Sequence, residues 1–159
     1  MNEIPTEKLL PQGLQDMLSA QRECMAQAND IHNEIIDREM KTLHLPLKAK
    51  WYEMIDSGVK TEEYRILSSH WVQRLLELAN GRRLKWIDAF PLSFHSIDIK
   101  NSMEMGVLKF RQFDAAKFAY GYTKRTMTFE IESITIGKGN PEWGAPTEEV
   151  FIIKLGKRV

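Results

Sequence analysis

The apolar residues at the start of the chain recur at helical spacing. Between residues 11 and 38 they lie three or four positions apart, and charged side chains occupy the opposite side. The apolar positions are Leu14, Met17, Leu18, Met25, Ala28, Ile31 and Ile35. Gln21 interrupts this stripe, which argues against a strict coiled coil. The pattern predicts one helix that either docks on the rest of the chain or pairs with a copy of itself.

From residue 42 onward the pattern changes to short strands and short helices. Alternating leucines predict a strand over Thr42–Leu47, and Trp51, Met54 and Ile55 then repeat at helical spacing. Gly58 follows that helix where a chain often needs a positive φ. A further helix is predicted from Ser68 or Ser69 to the Asn80-Gly81 stop signal.

The second half of the chain is mostly strand-like, which predicts the α+β class. Residues 83–90, 105–113 and 149–155 are strand candidates, as is the alternation at Phe94, Ile97 and Ile99. Residues 114–125 have the composition of an irregular loop. The clearest strand is 126–136, in which the apolar parity changes near Glu132-Ser133 and predicts a β-bulge. Bulges are over-represented beside active sites, which makes Glu132 a candidate second carboxylate.

Charge is distributed unevenly, although the 22 acids and 22 bases balance overall. Residues 1–40 hold 8 acids and 3 bases, a net charge of −5, and residues 41–159 hold 14 acids and 19 bases, a net charge of +5. A mildly basic second part suits an anionic partner such as RNA or a nucleotide-like small molecule. We expect residues 1–40 to form a helical extension and residues 41–159 the main domain.

Composition also bounds the location and the chemistry of the protein. Cys24 is the only cysteine, so an internal disulfide is excluded and a cytoplasmic location is expected. No apolar run approaches the roughly 20 residues of a membrane-spanning helix. The four histidines show no metal-site spacing, and nothing in the sequence calls for a cofactor.

One segment, residues 58–65, collects most of the candidate chemistry. Its sequence is Gly-Val-Lys-Thr-Glu-Glu-Tyr-Arg. Because side chains alternate along a strand, Glu63 and Arg65 should share one face with Thr61, and Glu62 and Tyr64 the other. If the first face points into a small barrel, the Glu63–Arg65 pair is desolvated; if it points to water, the pair is an ordinary exposed one.

The spacing Gly58-x-Lys60-x-x-Glu63-x-Arg65 resembles the GxKxxExR motif of the ASCH domain family. Together with the strand and helices predicted around it, the resemblance covers residues 41–159. The resemblance implies a PUA-like small mixed β-barrel with flanking helices. It also implies a cleft beside the motif that binds RNA or a nucleotide-like anionic ligand. Some members of the family cleave RNA, and others are amidohydrolases that act on acetylated cytidine.

A hydrolase is therefore the alternative function, and its catalytic candidates are Lys60, Glu63 and Glu132. In the amidohydrolases of the family a lysine acts with a threonine three positions later, whereas this chain has Glu63 there. That departure disfavours nucleophilic deacetylation. Acid–base chemistry by Lys60 with Glu63 stays open, as does a role for Lys60 as a plain phosphate anchor.

Four further residues are candidate ligand contacts beside Lys60, Glu63 and Arg65. Lys48 opens a helix, where a cation is unfavourable unless it has another role. Arg111 shares a strand face with Lys109, either as part of a basic groove or to keep an edge soluble. Tyr122 and Trp143 either stack on bases or pack under their loops.

Overall fold

The computed structural model describes residues 11–85 and 95–159, with the backbone alone for residues 33–39. The chain divides into two units, Met1–Glu39 and Met40–Val159. The first unit holds helix α1, Gln12–Glu39. Several apolar side chains of α1 are exposed, among them Met17, Met25 and Ile31. No helix in the described residues combines the length and apolar character that crossing a membrane requires.

The second unit mixes strands and helices, so the predicted α+β class is confirmed. Its described strands are β1 (Thr42–Leu47), β2 (Glu62–Arg65), β3 (Leu76–Leu78), β4 (Leu108–Phe110), β5 (Ala115–Tyr120), β6 (Thr126–Gly137) and β7 (Val150–Arg158). Its described α-helices are α2 (Ala49–Asp56), α3 (Ser69–Leu75) and α4 (Ser96–Glu104). A 3-10 helix, Pro141–Trp143, lies between β6 and β7.

Five strands form one curled sheet in the order β1-β5-β6-β7-β2. β1 and β5 are parallel, and the other three pairs are antiparallel. β3 and β4 form a separate antiparallel pair. The sheet is mixed, as expected, but its described strands form a half-barrel rather than a closed barrel, because β1 and β2 are its two edges.

The main core is built from the leucines of β1 and from large side chains of α2, α3, β5 and β7. In β1 the predicted alternation is seen, with Leu43, Leu45 and Leu47 buried while His44 and Pro46 are exposed. The largest fully buried side chains are Tyr52, Phe118, Phe151, Leu43, Leu45, Ile55, Leu75, Leu76, Ile99 and Ile153. A second, small cluster joins Tyr64 to Ala145 and Val150. The site described below lies beside these two clusters.

Two segments differ from the sequence expectation. Ile97 and Ile99 lie in helix α4, so the strand predicted there is wrong. A two-residue alternation is too short to distinguish the strand period of about 2 from the helix period of about 3.6. Phe94 lies outside the described residues. Ala115–Tyr120 is an interior strand rather than a loop, since β1 and β6 pair with its two edges. Its alanines have low strand propensity, so its conformation follows from those neighbours.

Helix α3 is also shorter than predicted. It ends at Leu75, and the leucines that follow continue as β3 instead of reaching Asn80-Gly81. Most of the strand predicted over residues 83–90 lies outside the described residues. The bulge in β6 is confirmed, because the β6–β7 register shifts on both sides of Ile131.

Candidate functional site

The turn that leads into β2 holds Lys60 in place through its backbone. Gly58 has φ 77°, which confirms the predicted positive φ, and its N–H donates to Ile55 O at 3.0 Å. The Lys60 N–H donates to Met54 O at 2.9 Å. These bonds satisfy carbonyls in the last turn of α2 that would otherwise be unpaired. The start of β2 is therefore fixed to the end of α2.

Lys60, Glu63 and Arg65 form one buried charge cluster. Lys60 Nζ lies 2.7 Å from Glu63 Oε2, and Arg65 Nη1 lies 3.1 Å from Glu63 Oε1. The three side chains are 2%, 5% and 18% exposed, respectively. The desolvated alternative is therefore the observed one. On the opposite face, the Tyr64 hydroxyl donates to Glu62 Oε2 at 2.9 Å, as the predicted alternation requires.

The cluster holds two cations and one carboxylate, and both carboxylate oxygens are engaged. Lys60 Nζ also lies 4.9 Å from the Trp51 ring centroid and 5.2 Å from that of Tyr64. Burial lowers the pKa of Arg65, although the Glu63 charge opposes that decrease. Arg65 Nε is buried and has no hydrogen-bond partner among the described residues. The cluster thus carries a net positive charge and an unpaired donor.

A cleft of about 280 Å³ opens beside this cluster. Its walls come from the end of β1, the start of α2, β2 and the turn between β6 and β7. The lining residues are Pro46, Leu47, Lys48, Trp51, Lys60, Glu63, Tyr64, Arg65, Trp143 and Gly144. The cleft therefore combines three cationic side chains with two indole rings.

The turn between β6 and β7 is shaped around two of these aromatic rings. Gly144 has φ 88°, and a Cβ there would lie 2.5 Å from Cζ2 of Trp51. A Cβ on Gly139 would lie 2.6 Å from Cε1 of Tyr64. The Asn140 N–H donates to the Tyr64 hydroxyl at 3.0 Å. Glycine is needed at both positions because the backbone touches the rings directly.

The environment of Tyr64 also disfavours ionisation of its hydroxyl. Burial raises the pKa of Tyr64 to about 12, and although the Asn140 N–H opposes this increase, the neighbouring Glu62 carboxylate adds to it. Tyr64 therefore remains a neutral donor to Glu62 at physiological pH. In that state it ties β2 to the glycine-rich turn.

Arginines cover the outer edge of β1, with which no strand of the described residues pairs. Arg65 Nη2 donates to Pro46 O at 3.3 Å, and Arg74 Nη2 donates to His44 O at 2.6 Å. Both guanidinium groups contact the Trp71 ring, with Cζ atoms 4.9 and 5.3 Å from its centroid. Unpaired edge carbonyls are usually covered in native sheets. Here side chains from β2 and α3 cover them instead of another strand.

Not all predicted site residues come together in the cleft. Lys48 and Trp143 line it with the charge cluster. Tyr122 is fully exposed in the turn after β5. Glu132, on the bulged part of β6, pairs with Lys154 at 3.0 Å and is about half exposed. Arg111 lies beside another cavity, described below.

Sequence reasoning missed Trp51, Tyr64 and Gly144 as cleft residues. The helical spacing of Trp51 predicts a place on an apolar helix face, and Tyr64 lies on the strand face opposite to Glu63. The available signal was the glycine-rich stretch 137–144, which indicates close backbone approach to a neighbour. Which ring it approaches depends on long-range contacts.

Within residues 11–85 and 95–159 there is no group of three or more His, Cys, Asp or Glu side chains that could hold a metal ion. The chemistry of the cleft therefore rests on an amine, a guanidinium, a carboxylate and indole rings. This set can bind an anion and stack a planar group. We found no match for this chain among protein-family models, curated proteins or solved structures.

Proposed function

We propose that Met40–Val159 is an ASCH-type, PUA-like domain that binds RNA or a nucleotide-like anionic ligand in the cleft. The supporting sequence feature is the Gly58-x-Lys60-x-x-Glu63-x-Arg65 spacing. The order β1-α2-β2-α3 around the motif is the one that the resemblance implies, and the curled mixed sheet forms half of the implied barrel. The proposal includes a cytoplasmic location, and the free thiol of Cys24 is compatible with that reducing compartment.

The observation that carries the proposal is the uncompensated positive charge of the buried cluster. Lys60 and Arg65 share the single carboxylate of Glu63, and Lys48 adds a third cation at the cleft. Burying charge without a counter-ion is costly, so an anion in the cleft would relieve that cost. The phosphate of a nucleotide supplies such an anion, and its oxygens suit Arg65.

The rest of the cleft suits a base. Trp51 and Trp143 provide ring surfaces, and stacking on aromatic side chains tolerates any base. Helix α2 begins at Ala49, directly after Lys48, and the free N–H groups of a first helical turn favour an anion. The volume of about 280 Å³ is near the lower end of small-molecule sites. One nucleotide unit is the best match in size.

The alternative function, a hydrolase acting on RNA or a modified nucleoside, has one observation in its favour. The Lys60 amine and the Glu63 carboxylate lie 2.7 Å apart at the cleft wall, within the reach of acid–base catalysis. However, both oxygens of Glu63 already accept from cations, and Lys60 itself donates to Glu63. These contacts favour a positioning role, so binding is the preferred proposal.

Binding is tested by titrating a fluorescently labelled short RNA, and cytidine 5′-monophosphate as competitor, against the full chain. Arg65→Ala and Glu63→Gln should each weaken binding about tenfold or more, because each disrupts a charge-assisted contact or its positioning partner. Glu62→Gln is the matched control and should change affinity by less than about twofold, since Glu62 is not among the described residues that line the cleft. Equal losses in all three variants, or no binding by the wild type, would contradict the proposal.

The hydrolase alternative needs a different measurement. Labelled RNA and N4-acetylcytidine are incubated with the wild type and with Lys60→Ala, and products are separated by chromatography. Turnover that disappears in Lys60→Ala, with the circular dichroism spectrum retained, would support catalysis. Salt-sensitive binding without turnover would support the binding proposal.

We also propose that α1 associates with a second copy of itself. Five large apolar side chains in the described part of this helix are exposed: Leu14, Met17, Leu18, Met25 and Ile31. A second copy of the helix would bury them, although Gln21 interrupts the stripe and excludes a strict coiled-coil seam. Light scattering should then show a dimer that Met17→Glu dissociates. Monomeric wild type at high micromolar concentration would refute this association.

A further inference from the structure

A second cavity, of about 540 Å³, lies beside helix α3. It is lined by Ser69, His70, Gln73, Arg74, Arg83, Leu84 and Arg111. We call it the arginine cavity, after Arg74, Arg83 and Arg111. No acidic side chain is among these lining residues, so the described part of the cavity wall carries only positive charge.

Within the described residues, none of the three arginines forms an ion pair with a carboxylate. Two of them donate to backbone carbonyls instead. Arg74 donates to His44 O at 2.6 Å, and Arg111 donates to Arg74 O at 2.9 Å. Arg83 is exposed and forms no ion pair within the described residues. Glu77, whose backbone forms a β-bridge with that of Arg83, pairs through its side chain with Lys109 at 3.5 Å.

The positive charges act on one another. Burial lowers the pKa of Arg111, and the charges of Arg83 and Arg74 lower it further, although Glu77 opposes them. An anion between these groups would remove that repulsion. The guanidinium fork also matches phosphate oxygens in geometry.

The arginine cavity is adjacent to the ligand cleft through one ring. Arg74 lines the arginine cavity and Arg65 lines the cleft, and both guanidinium groups contact Trp71. A positively charged track interleaved with aromatic rings is how proteins bind single-stranded nucleic acid. The two cavities are therefore close enough for one short strand to reach both.

We infer that the arginine cavity binds a backbone phosphate of a single-stranded RNA whose neighbouring nucleotide occupies the cleft. This inference rests on the proposed function and specifies its ligand as an oligonucleotide rather than a free nucleotide. A regular row of phosphates supplies anions at both cavities along one chain, which a mononucleotide does not. A strand of about eight nucleotides lies within the usual site size for such surfaces.

The test compares two probes on the full chain: a labelled single-stranded RNA of about eight nucleotides and cytidine 5′-monophosphate. Arg83→Gln should weaken the RNA roughly threefold to tenfold near 0.1 M salt and reduce the magnitude of its salt-dependence slope by about 0.7. The same variant should leave the affinity for the mononucleotide unchanged. Arg83 is the residue of choice because its exposed side chain makes no ion pair in the described structure.

The control variant is Arg125→Gln, which removes one arginine charge outside both cavities, where Arg125 pairs with Asp56. It should change the RNA affinity by less than about twofold, because Arg125 lines neither cavity and its charge is paired with Asp56. An RNA affinity that is unaffected by Arg83→Gln, or affected equally by both variants, would overturn the inference. If the wild type binds the mononucleotide but binds RNA no more tightly, this inference fails alone. If it binds neither probe, the proposed function fails as well.

Discussion

Replacing Glu63 with glutamine is the most direct test of the buried charge cluster. The change keeps the size of the side chain but removes the only negative charge between Lys60 and Arg65. Both cations then remain buried without a counter-ion, and they repel each other. The folded state should lose stability because the unfolded chain exposes both groups to water.

The magnitude follows from the exposure of the two cations. Removing one partner of a fully buried ion pair costs about 3–5 kcal/mol. Lys60 is 2% exposed at its side chain, but Arg65 is 18% exposed and keeps its bond to Pro46 O. We therefore expect a loss near the lower limit, about 3 kcal/mol. For the 120 residues of Met40–Val159, that loss corresponds to a decrease in Tm of about 12 °C.

The assay is urea and thermal unfolding of the full chain, followed by circular dichroism. Glu62→Gln is the matched control and should cost no more than about 1 kcal/mol, the usual net value of one hydrogen bond. Adding Lys60→Met to Glu63→Gln should recover part of the loss, because it removes one of the repelling charges. A loss below about 1 kcal/mol for Glu63→Gln, or one no larger than that of the control, would refute the reasoning.

Three further predictions concern the surroundings of the cleft. Gly144→Ala should lower the free energy of unfolding in urea by about 3 kcal/mol, and the control Gly121→Ala should lower it by about 1 kcal/mol. Both positions have positive φ, but of the two only Gly144 touches a ring. Equal losses would contradict that contact. Because the pKa of Tyr64 is raised, the folded state holds the hydroxyl proton more tightly than the unfolded state does. The neutral hydroxyl therefore contributes fully to stability below pH 10, and that contribution is lost as the pH rises toward about 12. Tyr64→Phe should remove the highest-pH component of the tyrosinate absorbance titration, and an unaltered curve would count against the assignment. Glu132→Gln should leave ligand affinity unchanged, since Glu132 pairs with Lys154 on the surface. A tenfold loss of affinity would show that Glu132 contributes to ligand binding after all.

Local patterns predicted a large part of the site. The positive φ of Gly58, the shared face of Glu63 and Arg65, and the bulge in β6 are each seen in the structure. Each depends on a few consecutive residues, because strand alternation and glycine backbone freedom act over one or two peptide units. Of the candidates that lie outside the cleft, the local bulge nominates Glu132 and the mixture of aromatic and basic residues nominates Tyr122, but neither signal says which distant residues lie nearby.

The less successful predictions share a different cause. Ala115–Tyr120 has no strong strand propensity, yet it is an interior strand because β1 and β6 supply backbone partners on both sides. Trp51 has the spacing of a core residue, and only the approach of Gly144 makes it a wall of the cleft. Neither outcome is encoded near the residue concerned.

By itself, the sequence determined which side chains of residues 58–65 could act together, since alternation along one strand does not depend on the rest of the fold. Only long-range packing buries Lys60 and Glu63, with most of Arg65, beside a cleft, and only it brings arginines from β2 and α3 onto the carbonyls at the edge of β1. Burial and edge pairing depend on contacts between residues far apart in the chain, and these contacts determine whether the charge cluster is desolvated.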